Sequence, residues 1–447
     1  MVNMNNAEKL KQEILSKVAE YYQLVHDKSA EPFIPGKSRV NYAGRVFDEQ
    51  ELLNLTDATL EFWLTEGRFT KKFETQLADK LGARFSLLVN SGSSANLLAF
   101  ATLTSPLLKE RQVRRGDEVI TVAAAFPTTV TPIINYGAVP VFIDVKLDDG
   151  TYNIDCDLLE KALSLKTKAV MLAHTLGNPF DLQRVKAFCE KHNLWLIEDN
   201  CDALGSKYNG QYTGTFGDIG TSSFYPPHHI TMGEGGAVYT NNPLLYKIAR
   251  SMRDWGRDCF CPSGKDNTCG KRFTQQFGTL PLGYDHKYVY SHFGYNLKAT
   301  DLQAAIGCAQ LEKLDDFTAA RRCNWQMLYD GLKDLDNYFI LPQATENSEP
   351  SWFGFLLTIK EKAGFDRAKI VGCLEKNNIQ TRTLFAGNLI RHPCFDQMRT
   401  EQCGYRVVGD LKNTDKIMRD TFWVGVYPGA KKEQFNYIIE TIKSIIL

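Results

Sequence analysis

Phe85-Ser-Leu-Leu-Val-Asn-Ser-Gly-Ser-Ser-Ala-Asn-Leu-Leu-Ala-Phe-Ala-Thr-Leu103 is the stretch that decides the fold. Phe85–Val89 is an apolar run with the length of a buried strand. Asn90–Asn96 is a turn of small residues, and Leu97–Leu103 continues as a helix. Such a junction also makes an anion cradle. Backbone N–H groups at the helix start, here around Gly92 and Ser93, point outward, and small side chains let a phosphate approach. Many strand–turn–helix junctions carry small residues without binding anything, so the cradle alone does not specify a function.

The same alternation recurs downstream. Val119–Val122, Val139–Asp144, Ala169–Ala173, Leu194–Asp199 and Ile219–Phe224 read as strands, with helical stretches through Ile134, over 157–165 and over 181–191. This predicts an α/β fold with a mainly parallel sheet covered on both faces. Ligands in such folds sit beyond the carboxyl ends of the strands. The informative residues are therefore Ser91–Asn96, Phe126, His174, Asp199–Asp202 and Ser223–His228.

Upstream, Leu10, Ile14, Leu15, Val18, Tyr21, Tyr22 and Val25 recur at helical spacing, which predicts an amphipathic helix over 5–27. Glu31-Pro-Phe-Ile-Pro-Gly36 ends it, and 47–66 reads as mostly helical. Residues 253–300 are polar, glycine-rich and cysteine-bearing, so an irregular segment is expected. One long helix is predicted from Thr300 to about Leu335, followed by short strands and helices to the end. The expected organisation is a helical arm (1–44), a large α/β domain (45–315) and a smaller C-terminal α+β domain (316–447).

Lys+Arg and Asp+Glu balance at 52 each, so no global charge points to nucleic acid or an anionic membrane. No apolar run approaches the roughly 20 residues of a membrane span. The first residues lack a basic segment followed by an apolar one, which predicts a cytoplasmic protein without a signal peptide. Eleven cysteines is a high count for that compartment, where a local cluster reads as metal-binding or catalytic before it reads as disulfides.

Asp199 ends a very apolar strand. A carboxylate there could cap a helix, or hold a protonated ring nitrogen by a charge-assisted hydrogen bond. Phe126, just beyond another strand, could stack on a flat ring. Ser223-Phe-Tyr-Pro-Pro-His-His-Ile-Thr-Met-Gly-Glu-Gly-Gly236 is a proline-bracketed loop with two adjacent histidines. Cys201, Cys259, Cys261 and Cys269 have the spacing C-x57-C-x1-C-x7-C. Four thiolates suit either a tetrahedral zinc or a [2Fe–2S] cluster. The other seven cysteines read as ordinary buried or surface thiols.

Taken together, Ser91-Gly-Ser-Ser-Ala-Asn96, Phe126, Gly137–Asp144, Ile197-Glu-Asp199, Gly217–Gly220, Ser223-Phe224, Gly233–Gly236 and Gly294-Tyr-Asn-Leu-Lys298 resemble the sugar aminotransferase and dehydratase family of fold-type I pyridoxal-phosphate proteins. They cover about 60–315 in order. The resemblance implies that the first turn, with Gly92 and Ser93, and Ser223 hold the cofactor phosphate. It implies that Asp199 pairs with the pyridine nitrogen and that Phe126 stacks on the ring. It also implies a homodimer, with Asn296 reaching the phosphate of the other subunit.

Two departures matter. The family's aminotransferases carry their cofactor lysine five residues after the serine that matches Ser223. Here that position is His228, and no lysine occurs from Phe224 to Gly236. Without an amine no internal Schiff base forms, whereas an imidazole is a good proton shuttle near neutral pH. The cofactor is then expected as noncovalent pyridoxamine 5′-phosphate (PMP), with His228 rather than His229 as base. The second departure is the cysteine set, which resembles that of the family's iron–sulfur 3-dehydrases and so implies a [2Fe–2S] cluster. That resemblance further implies a CDP-4-keto-6-deoxy-D-glucose substrate, an FAD/iron–sulfur reductase partner and a 3,6-dideoxyhexose product. Cys201 is two residues beyond Asp199, at most about 7 Å of extended chain, so cluster and cofactor are expected to be neighbours. Asp202, where the aminotransferases commonly have glutamine, is assigned to tuning the site. Tyr225 is assigned to contact with substrate or intermediate.

Overall fold

The apolar runs enter one eight-stranded sheet in the computed structural model, which describes residues 2–27 and 32–446. In chain order the first seven strands are β1 (Phe85–Val89), β2 (Glu118–Val122), β3 (Val139–Ile143), β4 (Thr167–Ala173), β5 (Trp195–Asp199), β6 (Ile219–Ser223) and β7 (Gly236–Thr240). Their spatial order is β1-β7-β6-β5-β4-β2-β3, with Arg406–Val408 added beside β3. From β6 to Arg406–Val408 every pairing is parallel, and β7 is antiparallel to both of its neighbours. The sheet is thus mainly parallel, in the fold-type I arrangement. Strands β2, β5, β6 and β7 are buried along their whole length, which is why their sequences read as continuous apolar runs rather than alternating ones.

Four helices lead into and follow β1. They are α1 (Val2–Val25), α2 (Glu49–Glu61), α3 (Arg68–Leu81) and α4 (Gly92–Leu103). α1 ends ahead of the stretch predicted to stop it, and Glu31, the first residue of that stretch, lies outside the described residues. α2 is shorter than the predicted 47–66. Asp48 and Glu51 form a capping box at its start, and Phe62 ends it in a left-handed conformation. α3 begins at Gly67, which has no side chain to cap it. Asp301 caps it instead, its buried carboxylate accepting from the amides of Gly67, Phe69 and Thr70 and from the Thr70 hydroxyl.

The single helix predicted from Thr300 to Leu335 is two, Asp301–Glu312 and Leu314–Leu332. They part at Lys313, whose amide bonds back to Gln310 and Leu311 and whose ammonium reaches Glu51 and Asp48. The C-terminal part builds a three-stranded antiparallel sheet from Phe339–Ile340, Gly354–Ile359 and Thr421–Gly425. Its apolar face packs with Leu328, Ile370, Phe435 and Ile438 into a core of its own. Burying each such side chain contributes about 1.5–3 kcal/mol. Residues 254–300 carry only a short turn at His286–Tyr288, as their composition predicts.

Candidate active site

Asp199 ends β5 at the middle of the sheet and is almost fully buried. Its Oδ2 accepts from Asn96 Nδ2 at 2.7 Å and from Thr129 Oγ1 at 2.7 Å. Asn96 lies in the first turns of α4, and Thr129 lies on the helix Pro127–Tyr136. The Thr221 hydroxyl in turn donates to Asn96 Oδ1 at 2.7 Å, which fixes the amide so that its NH2 faces the carboxylate. A buried carboxylate held by two side-chain donors keeps one orientation and stays an acceptor. Its other oxygen accepts from the Cys201 amide, at 3.2 Å.

The predicted phosphate cradle is formed by two separate segments. Ser91 caps α4, its Oγ accepting from the Ser94 amide at 3.0 Å. The first helical N–H groups, at Gly92 and Ser93, are left over for a ligand. Ser223, the last residue of β6, abuts this turn so closely that a Cβ on Gly92 would lie 2.3 Å from the Ser223 Cβ. A Cβ on Gly236 would likewise lie 2.4 Å from the Ser91 carbonyl oxygen. Glycine is required at both positions for α4, β6 and β7 to converge. Small side chains, free N–H groups and a hydroxyl beside a buried carboxylate fit the phosphate and the ring nitrogen of PMP.

The loop after β6 places His228 against Asp202. His228 Nδ1 lies 3.4 Å from Asp202 Oδ1 and has no other polar partner. Burial and the nearby Asp199 charge push the Asp202 carboxyl up to about 8. Burial pulls the His228 imidazole down to about 4, so it is neutral near pH 7. The loop is held from outside by Arg321, a fully buried guanidinium on the helix Leu314–Leu332. It donates to the carbonyls of His228 and Trp352, each at 3.2 Å. His229 turns the other way, with Nε2 2.7 Å from the Ser351 carbonyl oxygen, and is buried. His174 is also structural in its contacts, paired with buried Glu198 at 3.1 Å and stacked on Phe180.

Phe126 and Tyr225 are each about half exposed. Phe126 leads into the helix Pro127–Tyr136, and Tyr225 lies edge-on to the His228 ring. Asn296 is exposed and its backbone is bridged to Asp254, one residue before Leu297, whose carbonyl accepts from the Asn90 amide at 2.8 Å.

The four cysteines predicted as one ligand set do not come together within the chain. Cys259, Cys261 and Cys269 line one small void with His286, and the Thr268 hydroxyl lies 3.1 Å from the Cys261 sulfur. Cys201 is at the end of β5, where burial and Asp199 push its thiol well above the usual range. The reason is anchorage. Arg250 holds the Phe260 carbonyl at 2.8 Å and Glu66 accepts from Ser263 at 3.0 Å, which ties the loop to the β1 side of the sheet. Among the described residues no group of three or more His, Cys, Asp or Glu side chains is arranged to hold a metal ion. A [2Fe–2S] cluster on all four thiolates therefore does not fit this single chain. No helix among the described residues is long and apolar enough to cross a membrane.

The side chains that fix the site from behind, Thr129, Thr221 and Arg321, do not stand out in the sequence. Thr129 lies three residues past the flagged Phe126, and Arg321 reads there as part of a charged helical turn.

The fold and the sequence have counterparts. The chain is 55% identical over 433 residues to the lipopolysaccharide biosynthesis protein RfbH of Salmonella typhimurium, covering 97% of each. It is 50% identical to the dTDP-4-dehydro-2,6-dideoxy-D-glucose 3-dehydratase of Saccharopolyspora spinosa, covering 98% of this chain and 92% of that one. The solved E. coli GDP-4-keto-6-deoxy-D-mannose-3-dehydratase with bound hydrated PLP superposes with a TM-score of 0.79 at 29% identity, over 90% of this chain and 99% of that one. The DegT/DnrJ/EryC1/StrS aminotransferase family matches residues 46–443, from just ahead of α2 into the last helix, Lys432–Ile446. The chain belongs to the DegT/DnrJ/EryC1/StrS aminotransferase family.

Proposed function

We propose that this enzyme is a PMP-dependent 3-dehydratase of a nucleotide-linked 4-keto-6-deoxyhexose, with CDP-4-keto-6-deoxy-D-glucose as the substrate. The observation that carries the reading is His228. It occupies the loop position where an aminotransferase has its lysine, is neutral near pH 7, and faces the same cleft as Asp199 and Ser223. The names of the similar proteins support the reaction class, since the Saccharopolyspora spinosa and E. coli proteins are named as sugar 3-dehydratases.

In this reading Gly92, Ser93 and Ser223 bind the cofactor phosphate, and Asp199, oriented by Asn96 and Thr129, holds the pyridine nitrogen charged. Phe126 covers the ring. Bound PMP supplies the amine that condenses with the substrate ketone and a ring that takes up the electron pair of a broken C–H bond. His228 Nε2 accepts that proton, and once the Asp202 carboxyl has lost its own proton His228 Nδ1–H turns to it, which favours the tautomer with a free lone pair on Nε2. With no lysine in the loop, the chain offers no amine to return the cofactor to a protein-bound form, so C3–O cleavage replaces amine transfer. Tyr225 closes the substrate side. A homodimer with Asn296 at the partner's cofactor phosphate completes the site, and an FAD/iron–sulfur reductase supplies electrons for the 3,6-dideoxy product.

A second reading is a 3-dehydratase that needs no metal centre. It is favoured by the separation of Cys201 from the other three cysteines. One experiment tests the function. Purified protein loaded with PMP is incubated anaerobically with CDP-4-keto-6-deoxy-D-glucose, with and without a flavin reductase and NADH, and products are read by mass spectrometry. Loss of water from the sugar supports dehydration, and an amino sugar formed with glutamate overturns it. A 3-deoxy product without the reductase favours the second reading.

A further inference from the structure

We infer that Phe385 is a positioning residue for the cofactor, which sets from the C-terminal part of the chain the tilt of the Phe126 ring over PMP. The inference rests on the reading that Phe126 covers the cofactor ring. It starts from the backbone at Phe385, where φ is 46°, in the left-handed region. A bulky side chain rarely adopts that conformation, whereas glycine and asparagine take it readily. Phenylalanine is the less stable choice for the turn itself, and strain of this kind persists where the surrounding structure holds it in place.

The loop around Phe385 is held at both ends. The backbones of Arg382 and Trp423 exchange hydrogen bonds at 3.0 and 2.8 Å, and the Trp423 indole N–H donates to the Thr383 carbonyl at 2.9 Å. On the other side the Leu389 amide donates to the Ala123 carbonyl at 3.0 Å, one residue beyond the end of β2. A ring nitrogen of His392 lies 2.7 Å from the Ala386 carbonyl oxygen. Residues 382–389 thus run from the C-terminal sheet to the carboxyl end of β2, with no slack in which Phe385 could relax.

Phe126 lies three residues past Ala123. The Phe385 ring meets it edge to face, with centroids 6.3 Å apart and planes at 77°. That is an attractive aromatic geometry, preferred over a face-to-face sandwich, and it fixes the tilt of one ring against the other. Phe126 is about half exposed, so burial alone does not fix its ring. Phe385 is better anchored, packed against the core that includes Leu384, Leu389 and Trp423. The braced segment also carries Thr129, the donor to Asp199 Oδ2. One loop therefore steadies both the cover of the cofactor ring and a side chain that orients the partner of its nitrogen.

A double-mutant cycle on PMP binding decides. Phe385→Asn removes the ring but suits the left-handed backbone, so the loop keeps its path, and Phe385→Tyr keeps the ring. Wild type, Phe126→Ala, Phe385→Asn, the double variant and Phe385→Tyr are freed of cofactor and titrated with PMP. The circular dichroism of the bound cofactor is recorded in its absorption band. Phe385→Asn is expected to weaken PMP binding about 3- to 10-fold and to change that band. Phe385→Tyr is expected to stay within about twofold of wild type. The double variant is expected to bind no more weakly than Phe126→Ala alone, because both act through one ring. Losses that add in the double variant overturn the inference, and so does a Phe385→Asn protein with wild-type affinity and band. A Phe126→Ala protein that binds PMP as wild type does overturns instead the ring-cover reading on which the inference rests.

Discussion

His228 Nδ1 lies 3.4 Å from Asp202 Oδ1, and both side chains are largely buried. The carboxyl is raised to about 8 and the imidazole lowered to about 4, so near neutrality the two groups sit at the edge of losing one proton between them. Removing it leaves the carboxylate to accept Nδ1–H and frees Nε2 as a base. Dehydration is expected to rise with pH up to about 8 in wild type. Asp202→Asn removes the carboxylate and is expected to lower the rate about 10- to 100-fold with that rise abolished. The pH dependence of single-turnover substrate loss checks this, and an unchanged profile in the variant contradicts it.

The same carboxyl makes a stability prediction. Asp202 keeps its proton in the folded chain up to about 8 but loses it near 4 when unfolded. The folded state binds more protons between these values, so stability falls as pH rises through that window. Asp202→Asn is therefore expected to stabilise the cofactor-free protein, weakly at pH 5 and most at pH 8. Thermal melts across pH 5–8.5 measure it, and a gain that shrinks with rising pH refutes it.

Thr129→Val keeps the shape of the side chain but removes one of two donors to Asp199 Oδ2. A hydrogen bond to a charged group contributes about 1.5 kcal/mol or more, so PMP affinity is expected to fall about tenfold. Titration of the cofactor-free protein reads it directly. An unchanged Kd means that this donor does not set the cofactor's partner.

His228→Lys restores an amine at the loop position that defines aminotransferases. It is expected to bind pyridoxal phosphate covalently, so that borohydride fixes the cofactor to the peptide containing residue 228. Mass spectrometry that finds no such adduct contradicts the placement of this side chain at the cofactor carbonyl.

Much of the sheet was legible because β2 to β6 are buried on both faces and so read as apolar runs with turn residues between them. Strand β7 was missed. Its Gly-Ala-Val-Tyr-Thr begins on the second glycine of a diglycine, and the run reads as the end of a turn until its pairing with β1 and β6 is seen. The kink at Lys313 was invisible for a similar reason, since its cause is an ion pair with Glu51, 262 residues away. Asp199, Ser223 and His228 were legible because each ends a strand or follows one closely. Thr129, Thr221 and Arg321 were not, because their part is to hold another residue's polar atoms, and nothing local marks it. The cysteine spacing carries no information on whether one chain can bring the four thiols together.

In the proposed function His228 turns an aminotransferase site into a dehydratase. Anaerobic turnover of CDP-4-keto-6-deoxy-D-glucose by PMP-loaded wild type and His228→Asn, with cofactor occupancy measured in both, tests it. Water loss by wild type, a drop of about 100-fold or more in the variant, and equal PMP occupancy are expected. Full turnover by the asparagine variant at equal occupancy would contradict it.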